Sequence, residues 1–345
     1  MAAQLHAPIR AYVREVRAIS YRDVRGRQRG PYASIGYGAG GITYLLWFLG
    51  VRRNDRALLL DARRWFRSLR RARGKDAFCA DFVKPEYVEQ SIVNGYAGHH
   101  LLGALIGHSL DDLSLRERHL GEFLAICRRT DRPPELLHGD AGFLIGALLL
   151  ERHTGDPRLA PIADQLAARL LAVEWKRHGF AHGTAGVLHA LVQWVGARGG
   201  AGPARLRERL AAMPRGLGGP PPSFVPTWCN GAGGHVLLWA GAYRTLGDPV
   251  YLERAEEAAA WMCAPAEKTL GTLCCGEGGV AYALLALDRA RPSPELRARA
   301  AARAARAIAQ LDSPWPNSLM HGFAGLACLA EDLERGGGGF PLCEL

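Results

Sequence analysis

The chain of 345 residues is 48% hydrophobic, enough for a large core, and carries a formal net charge of +10 at pH 7. Its basic residues are dispersed and no nucleic-acid-binding motif is present, so we expect no nucleic-acid partner. No stretch reaches the roughly 20 apolar residues that a membrane span requires, and the first residues lack the apolar core of a signal peptide. We therefore expect a cytoplasmic protein without a membrane span.

The eight cysteines are sparse for a chain of this length and show no disulfide framework. In a reducing compartment such cysteines are typically buried, metal-binding or catalytic. Two of them, Cys274 and Cys275, are adjacent and directly precede a glycine-rich turn. The pair is therefore either a set of packed small side chains, a disulfide, or part of a metal site.

The N-terminal part of the chain is rich in arginine. We predict that residues 1–30 form a basic, helical extension packed on a single domain formed by residues 31–345. A second basic run, residues 63–75, lies on one face of a predicted amphipathic helix. This face is either simply solvated or a binding site for an anionic peptide such as an acidic leader, and the residues alone leave both interpretations open.

Seven segments share a glycine-x-x-glycine turn followed by an apolar run, and their first glycines lie 44 to 57 residues apart. The segments are GAGGITYLLW from Gly38, GYAGHHLLGAL from Gly95, GDAGFLIGALLL from Gly139, GTAGVLHALVQW from Gly183, GAGGHVLLWAGA from Gly231, GEGGVAYALLAL from Gly276 and GFAGLACLAEDL from Gly322. A period this regular is typical of a repeat architecture.

Each repeat has room for two helices. The apolar run after each turn predicts a helix buried on most sides, whereas the segment containing Ile162, Leu166 and Leu170 predicts an amphipathic one. Seven such pairs can close into a ring with the apolar helices inside, so we predict an all-α fold, a seven-fold α/α toroid. An open solenoid would need polar capping repeats at both ends, and the last repeat is as apolar as the others.

The residues that precede the turns are predicted to face one central cavity, because all the turns lie at the same end of the ring. These residues are Tyr37, Asn94, Glu135 with His138, His182, Trp228 with Cys229 and Asn230, Cys274 with Cys275, and His321. Three cysteines therefore converge from two adjacent repeats, beside several histidines.

A zinc site is one interpretation of the three cysteines, since zinc favours thiolate and imidazole ligands in a tetrahedral arrangement. Three protein ligands leave the fourth position open, as in catalytic sites. The spacing alone is a weak signal, because Cys229, Cys274 and Cys275 form no CxxC pair. Core packing of the cysteines and a disulfide stay open as alternatives.

The motifs AHG at 181–183, WCNG at 228–231 and LCCG at 273–276 resemble those of the lanthionine synthetase C-like (LanC-like) family. All seven turns fit the seven-fold toroid of that family, so the resemblance covers nearly the whole chain. The ending FPLCEL is also similar to that of the eukaryotic-type members.

The resemblance implies specific roles for five residues. It implies zinc bound by Cys229, Cys274 and Cys275, although most members have histidine where Cys275 stands. It implies that His182 is a catalytic acid or base, which suits an imidazole near neutral pH. Glu135 then either orients this imidazole or caps a helix.

The activity implied by the resemblance is addition of a thiol to the β-carbon of dehydroalanine or dehydrobutyrine, with zinc lowering the pKa of the thiol. A thiol of the same peptide gives a (methyl)lanthionine thioether, and glutathione gives an adduct. The implied partners are a dehydrated peptide or protein, glutathione as a candidate co-substrate, and a separate dehydratase. No cofactor other than zinc is implied.

Two other classes of function stay open. A zinc-containing scaffold would bind glutathione or a peptide without consuming an electrophile. A glycosidase of toroid shape would need paired carboxylates, for which Glu135, Asp140 and Glu277 are weak candidates. His235 either packs in the core without a functional role or reaches the cavity. Val225, where ring-forming cyclases carry arginine, weakens the prediction of peptide cyclisation more than the prediction of zinc.

Overall fold

The computed structural model describes residues 2–345 except 71, 73–76, 79–87, 89, 178, 215–225 and 263–269. Across these residues the secondary structure is helical, with a single isolated β-bridge between Leu270 and Gly276. The helices are α1 (Ala2–Ala18), α2 (Tyr21–Arg27), α3 (Gly40–Arg53), α4 (Arg56–Leu69), α5 (Tyr96–Ser109), α6 (Leu113–Cys127), α7 (Asp140–Thr154), α8 (Leu159–Ala172), α9 (Thr184–Arg198), α10 (Ala204–Ala212), α11 (Ala232–Leu246), α12 (Pro249–Met262), α13 (Glu277–Ala290), α14 (Pro294–Ala309) and α15 (Phe323–Arg335). Within the described part of the chain, none of these helices is long and apolar enough to cross a bilayer.

The seven helices that follow the glycine turns form a closed inner ring. Each of α3, α5, α7, α9, α11 and α13 packs on the next, and α15 packs on α3. These helices are apolar on nearly all sides, and α7 buries every residue from Asp140 to Leu150. The predicted all-α toroid is confirmed, and the open solenoid is wrong because the first and last inner helices are in contact.

The outer layer consists of amphipathic helices that cover the ring. Helices α4, α6, α8, α10, α12 and α14 each follow and pack on the preceding inner helix. In α8 the buried residues include Ile162, Leu166 and Leu170, which share one face, as the sequence predicts. Burial of one apolar stripe against the ring explains why these short helices are stable in the fold.

The N-terminal helix α1 occupies the seventh outer position. It packs on α15 and α14, and the rings of Tyr12 and Phe323 lie 5.4 Å apart. Its last turn is held by α4, because Trp65 Nε1 donates to the Val16 carbonyl at 2.8 Å. Residues 2–18 therefore complete the outer layer from the opposite end of the chain. A domain boundary after residue 30 stays a prediction.

Part of the basic face of α4 is used within the fold. Arg64 Nη2 donates to the Arg17 carbonyl at the end of α1, at 2.7 Å, and Arg63 lies 3.8 Å from Asp112. Arg71, Arg73 and Lys75 of the same basic run lie outside the described residues. Binding of an acidic leader by this face stays a prediction.

A belt of hydrogen bonds joins the seven turns at one end of the ring. The bonds run from Gly36 N to Val93 O, Ser91 Oγ to Leu137 O, Leu137 N to Ala181 O, Ala181 N to Cys229 O, Cys274 N to Met320 O, and Met320 N to Gly36 O, at 2.7 to 3.2 Å. Turns five and six are linked by a contact between cysteine sulfurs, at 3.7 Å. The residues before the turns are therefore held close together, as predicted.

The segment 336–345 packs on the inner helices, and residues 340–344 of it are buried. Arg52 of α3 donates to the Gly336 carbonyl, and His189 of α9, across the ring, hydrogen-bonds to the Cys343 carbonyl at 2.8 Å. The ring of Phe340 is fully buried and stacks on Trp228, with centroids 4.9 Å apart. This segment therefore joins distant inner helices and supports the residue that precedes Cys229.

The glycine turns are required by close backbone contact. A Cβ at Gly139 would overlap the carbonyl oxygen of Pro133, whereas a Cβ at Gly121, on the exposed side of α6, would meet open space. We expect Gly139→Ala to lower the free energy of unfolding by about 2 kcal/mol or more, because the backbone must shift. Gly121→Ala should raise it by about 0.5–1 kcal/mol, because alanine favours a helix. Urea denaturation measures both changes, and effects of the same sign would contradict the close contact.

Candidate functional site

Three cysteine side chains meet between turns five and six. The Sγ atoms of Cys229 and Cys275 are 3.7 Å apart, those of Cys274 and Cys275 are 3.3 Å apart, and all three lie within 4.8 Å of one another. The cysteines among the described residues are free thiols, so the disulfide alternative for Cys274 and Cys275 is wrong. Cys79 and Cys263 lie outside the described residues.

The backbone of each turn positions its cysteine. The Cys274 amide donates to the Met320 carbonyl at 3.0 Å, and the Cys275 amide donates to Thr272 Oγ1 at 3.2 Å. Gly276 closes the turn, since a Cβ there would overlap the Leu270 carbonyl. This sharp turn is what allows two consecutive side chains to face the same point.

The protonation of the three thiols is coupled. Hydrogen bonds from Cys274 and Cys275 hold the pKa of Cys229 well below its usual range. The hydrogen bond with Cys229 in turn raises the pKa of Cys274 and of Cys275. The three thiols therefore oppose one another's ionisation. All three can ionise together only if a positive charge lies among them.

The arrangement fits a thiophilic metal ion. Two sulfurs on a tetrahedral zinc, with zinc–sulfur bonds of about 2.3 Å, would be about 3.8 Å apart. The distance of 3.7 Å between Cys229 and Cys275 matches this value, and the distance of 3.3 Å between Cys274 and Cys275 is about 0.5 Å shorter. Each of the three side chains is only partly buried, which leaves access from the cavity. These three sulfurs can therefore hold a metal ion with one position free.

A second polar cluster lies on turns two, three and four. Glu135 Oε1 is 2.8 Å from His138 Nδ1, and Glu135 Oε2 is 2.8 Å from His182 Nδ1. The other ring nitrogen of His138, Nε2, is 3.2 Å from Asn94 Nδ2. The carboxylate of Glu135 thus binds two imidazoles, which favours an orienting role over helix capping.

The ionisation of Glu135 is set by these neighbours. Burial alone would raise the pKa of this carboxyl group, but the hydrogen bonds from His138 and His182 outweigh burial and lower it to about 2. Glu135 is therefore a carboxylate at neutral pH. It accepts a hydrogen bond from Nδ1 of each imidazole and leaves Nε2 of His182 directed away from it.

The two clusters lie on neighbouring turns. The amide of Ala181, the residue before His182, donates to the Cys229 carbonyl at 2.7 Å. The side chain of His182 is 33% exposed, the largest value in its cluster with Glu135 and His138. A molecule bound at the cysteines therefore has an accessible imidazole on the adjacent turn.

Two further rings border the cysteines. Tyr37 and His321, before turns one and seven, stack with centroids 4.7 Å apart. Burial raises the pKa of Tyr37, and the negative charge of the cysteine cluster raises it further. Burial lowers the pKa of His321 to about 4, and its Nε2 has no hydrogen-bond partner among the described residues. These two stacked rings cover this side of the site.

The remaining sequence candidates lie elsewhere or have other partners. Asp140 pairs with Arg169 at 2.9 Å and Glu277 pairs with Arg303 at 3.0 Å, which ties inner helices to outer ones. Neither carboxylate is available for a glycosidase pair. His235 is buried within α11, and Val225 lies outside the described residues.

Sequence reasoning gave no role to Asn94 and only a passive one to His138. Both precede a glycine turn, the same position that singled out His182 and Cys275. The position directly before a turn was therefore the signal in the sequence that could have identified Asn94 and His138 as site residues. What it could not show is that Asn94, His138 and Glu135 bond to one another across two turns.

Comparison with known proteins finds the same family that the sequence motifs resemble, over most of the chain. The family model described as lanthionine synthetase C-like protein matches residues 31–344. LanC-like protein GCL1 of Arabidopsis thaliana is 28% identical over 309 residues, and the match covers 74% of this chain and 70% of that protein. Among solved structures, nisin cyclase matches with a TM-score of 0.73 at 15% identity, covering 95% of this chain and 94% of that one. At such low identity the structural match establishes the shared toroid fold alone.

Proposed function

Because the chain belongs to the lanthionine synthetase C-like family, we propose that it is an enzyme that joins a thiol to a dehydroamino acid through a carbon–sulfur bond. The observation that supports this most directly is the pairing of two clusters on adjacent turns. A three-thiol group lies beside an imidazole held by a carboxylate. The three-thiol group suits activation of a substrate sulfur, and the imidazole suits transfer of a proton.

Zinc is the metal that the three-thiol group would hold, with Cys229, Cys274 and Cys275 as ligands. Zinc held there would supply a positive charge that lowers the pKa of a substrate thiol, so that the thiol would react as thiolate at neutral pH. Since the three cysteine thiolates would carry one negative charge more than zinc, the substrate sulfur would stay strongly nucleophilic.

The proposed reaction is a Michael-type addition that needs no oxidant. The sulfur forms a bond to the β-carbon, the carbon–carbon π bond breaks, and its electron pair becomes the enolate. His182 Nε2 takes up a proton in place of the one that the thiol releases and delivers it to the α-carbon, so that no net proton is gained or lost. Glu135 holds His182 at Nδ1, so that Nε2 carries the exchangeable proton toward the substrate.

The substrate in this proposal is a peptide or protein containing dehydroalanine or dehydrobutyrine. With a cysteine of the same peptide the product is a (methyl)lanthionine ring, and with glutathione it is a thioether adduct. The dehydroamino acid would come from a separate dehydratase acting on serine or threonine. The place of action would be the cytoplasm, where thiols stay reduced.

Two peptides test the proposal. The first contains dehydroalanine and a cysteine, and the second contains dehydroalanine alone and is offered glutathione. Ring formation leaves the mass of the first peptide unchanged but removes its thiol, so alkylation before mass spectrometry detects it. Addition of glutathione to the second peptide increases its mass directly. Reactions without protein give the spontaneous rate.

A rate above the spontaneous one in either reaction supports an enzyme and identifies the source of the thiol. If neither peptide reacts faster but glutathione binds to the zinc-loaded protein, the proposal is wrong. The protein is then a non-catalytic scaffold that binds a thiol ligand.

A further inference from the structure

Four side chains form a continuous hydrogen-bonded row across turns two, three and four. In order they are Asn94, His138, Glu135 and His182, joined by contacts of 3.2, 2.8 and 2.8 Å. The imidazoles of His138 and His182 are nearly parallel, at 27°, with centroids 5.3 Å apart. The two rings therefore share one carboxylate between them.

The hydrogen bonds fix where the protons lie. Glu135 is a carboxylate and only accepts, so His138 and His182 must each carry a hydrogen on Nδ1. The other ring nitrogen of His138, Nε2, lies 3.2 Å from Asn94 Nδ2. Both ring nitrogens of His138 are therefore engaged by neighbouring side chains, and Nδ1 donates to Glu135.

Of the four residues in the row, His182 is the most exposed. The side chain of His182 is 33% exposed, that of His138 is 10% exposed and that of Glu135 is 6% exposed. Asn94 is 2% exposed. A substrate can therefore reach His182, whereas the other three residues are covered by the protein.

The backbone keeps this row in place. The Asn94 amide donates to Ser91 Oγ at 2.9 Å, and Ser91 Oγ donates to the Leu137 carbonyl, next to His138, at 2.8 Å. Turns two and three are therefore locked together behind Glu135. Such support behind a catalytic group is what fixes its geometry within a fraction of an ångström.

We propose that Asn94 and His138 are positioning residues, which hold the Glu135 carboxylate so that His182 presents Nε2 to the substrate. The inference rests on the proposed function, since it assigns these residues to the proton-transfer side of the same site. His138 acts through Glu135 by donating one hydrogen bond. It does not itself exchange a proton with the substrate.

A metal ion on the same residues is the main competing interpretation. Glu135, His138 and His182 offer three ligand atoms within 4.8 Å of one another. A metal there would replace the Nδ1 hydrogens of both imidazoles. His182 could then neither donate to Glu135 nor carry a proton for the reaction.

Two substitutions at His138 separate these roles. His138→Phe removes the donor to Glu135, whereas His138→Gln replaces it with an amide that can still donate. We expect kcat to fall roughly tenfold or more in His138→Phe, because the imidazole of His182 loses its fixed orientation. His138→Gln should restore most of kcat, with KM within about twofold in both variants. Asn94→Ala should also lower kcat, but by a smaller factor than His138→Phe.

The pH profile gives a readout that a purely structural role would not change. The titratable groups that face Glu135 are His138 and His182. Since the hydrogen bond from His138 lowers the pKa of Glu135, its loss raises that pKa. The acid-side loss of activity should therefore occur at higher pH in His138→Phe and return toward the wild-type position in His138→Gln.

Four results would overturn the inference. Equal loss of kcat in both variants would make His138 a proton carrier, and unchanged kcat in both would leave it no role. Two zinc ions per chain in wild type, with one lost in both variants, would establish a metal site instead. The ¹³C titration of the Glu135 carboxyl group needs no turnover, so it tests the inference even if the proposed reaction fails. An identical midpoint in wild type and His138→Phe would contradict the positioning role.

Discussion

Replacement of His182 by glutamine is expected to lower kcat for thiol addition by about 10²- to 10⁴-fold, the usual range for loss of a general acid. The glutamine amide can still donate to Glu135, so the buried carboxylate keeps a partner and the fold is retained. What is lost is a group that can deliver a proton to the α-carbon. The measurement is kcat with the dehydroalanine peptide, together with the zinc content of the same sample.

The matched control is His108→Gln, the same chemical change in the last turn of inner helix α5. That turn lies at the end of the helix opposite the glycine turn. This variant should keep the wild-type kcat, because the turns that carry the site lie at the start of each inner helix. Binding of the thiol substrate should also survive in His182→Gln. If His182→Gln turns over as fast as wild type while holding zinc, His182 has no role in proton transfer.

The repeat made the ring and the end that carries the site predictable from sequence. Glycine at fixed positions is needed because Gly183 and Gly276 lie so close to neighbouring backbone that no side chain fits. Close backbone contacts also occur at Gly38, Gly95, Gly139 and Gly322, so they leave a periodic pattern in the sequence. The residue directly before each turn could therefore be assigned to a common end, and Cys229 and Cys275 are indeed in contact there.

Structural features that do not recur in each repeat could not be predicted from the periodic pattern of the sequence. Helix α1 takes the seventh outer position beside α14 and α15, and its contacts span nearly the whole sequence. Residues 336–345 pack on the ring through bonds to helices far apart along the chain, such as that from His189 to Cys343. The same holds for the bond between Asn94 and His138. Each depends on a single pair of distant residues, and periodicity carries no information about such pairs.

Two substitutions at Cys275 are expected to have opposite effects on zinc. Cys275→Ala removes a ligand, so we expect zinc to fall from about one ion per chain to nearly none. Cys275→His keeps a ligand that zinc accepts, at the position where most family members carry histidine, and should keep about one ion per chain. Metal analysis of protein purified without added chelator measures both.

The control for loss of a buried thiol is Cys328→Ala, since Cys328 lies in the core away from the cluster. It should keep its zinc even though it loses some stability. The two Cys275 variants also test the charge argument, because histidine removes the excess negative charge of three thiolates. Cys275→His should therefore add thiols to the dehydroalanine peptide more slowly than wild type at equal zinc content. If Cys275→Ala and Cys328→Ala retain the same zinc, the three sulfurs are only packed together, and activation of the thiol must occur by another group.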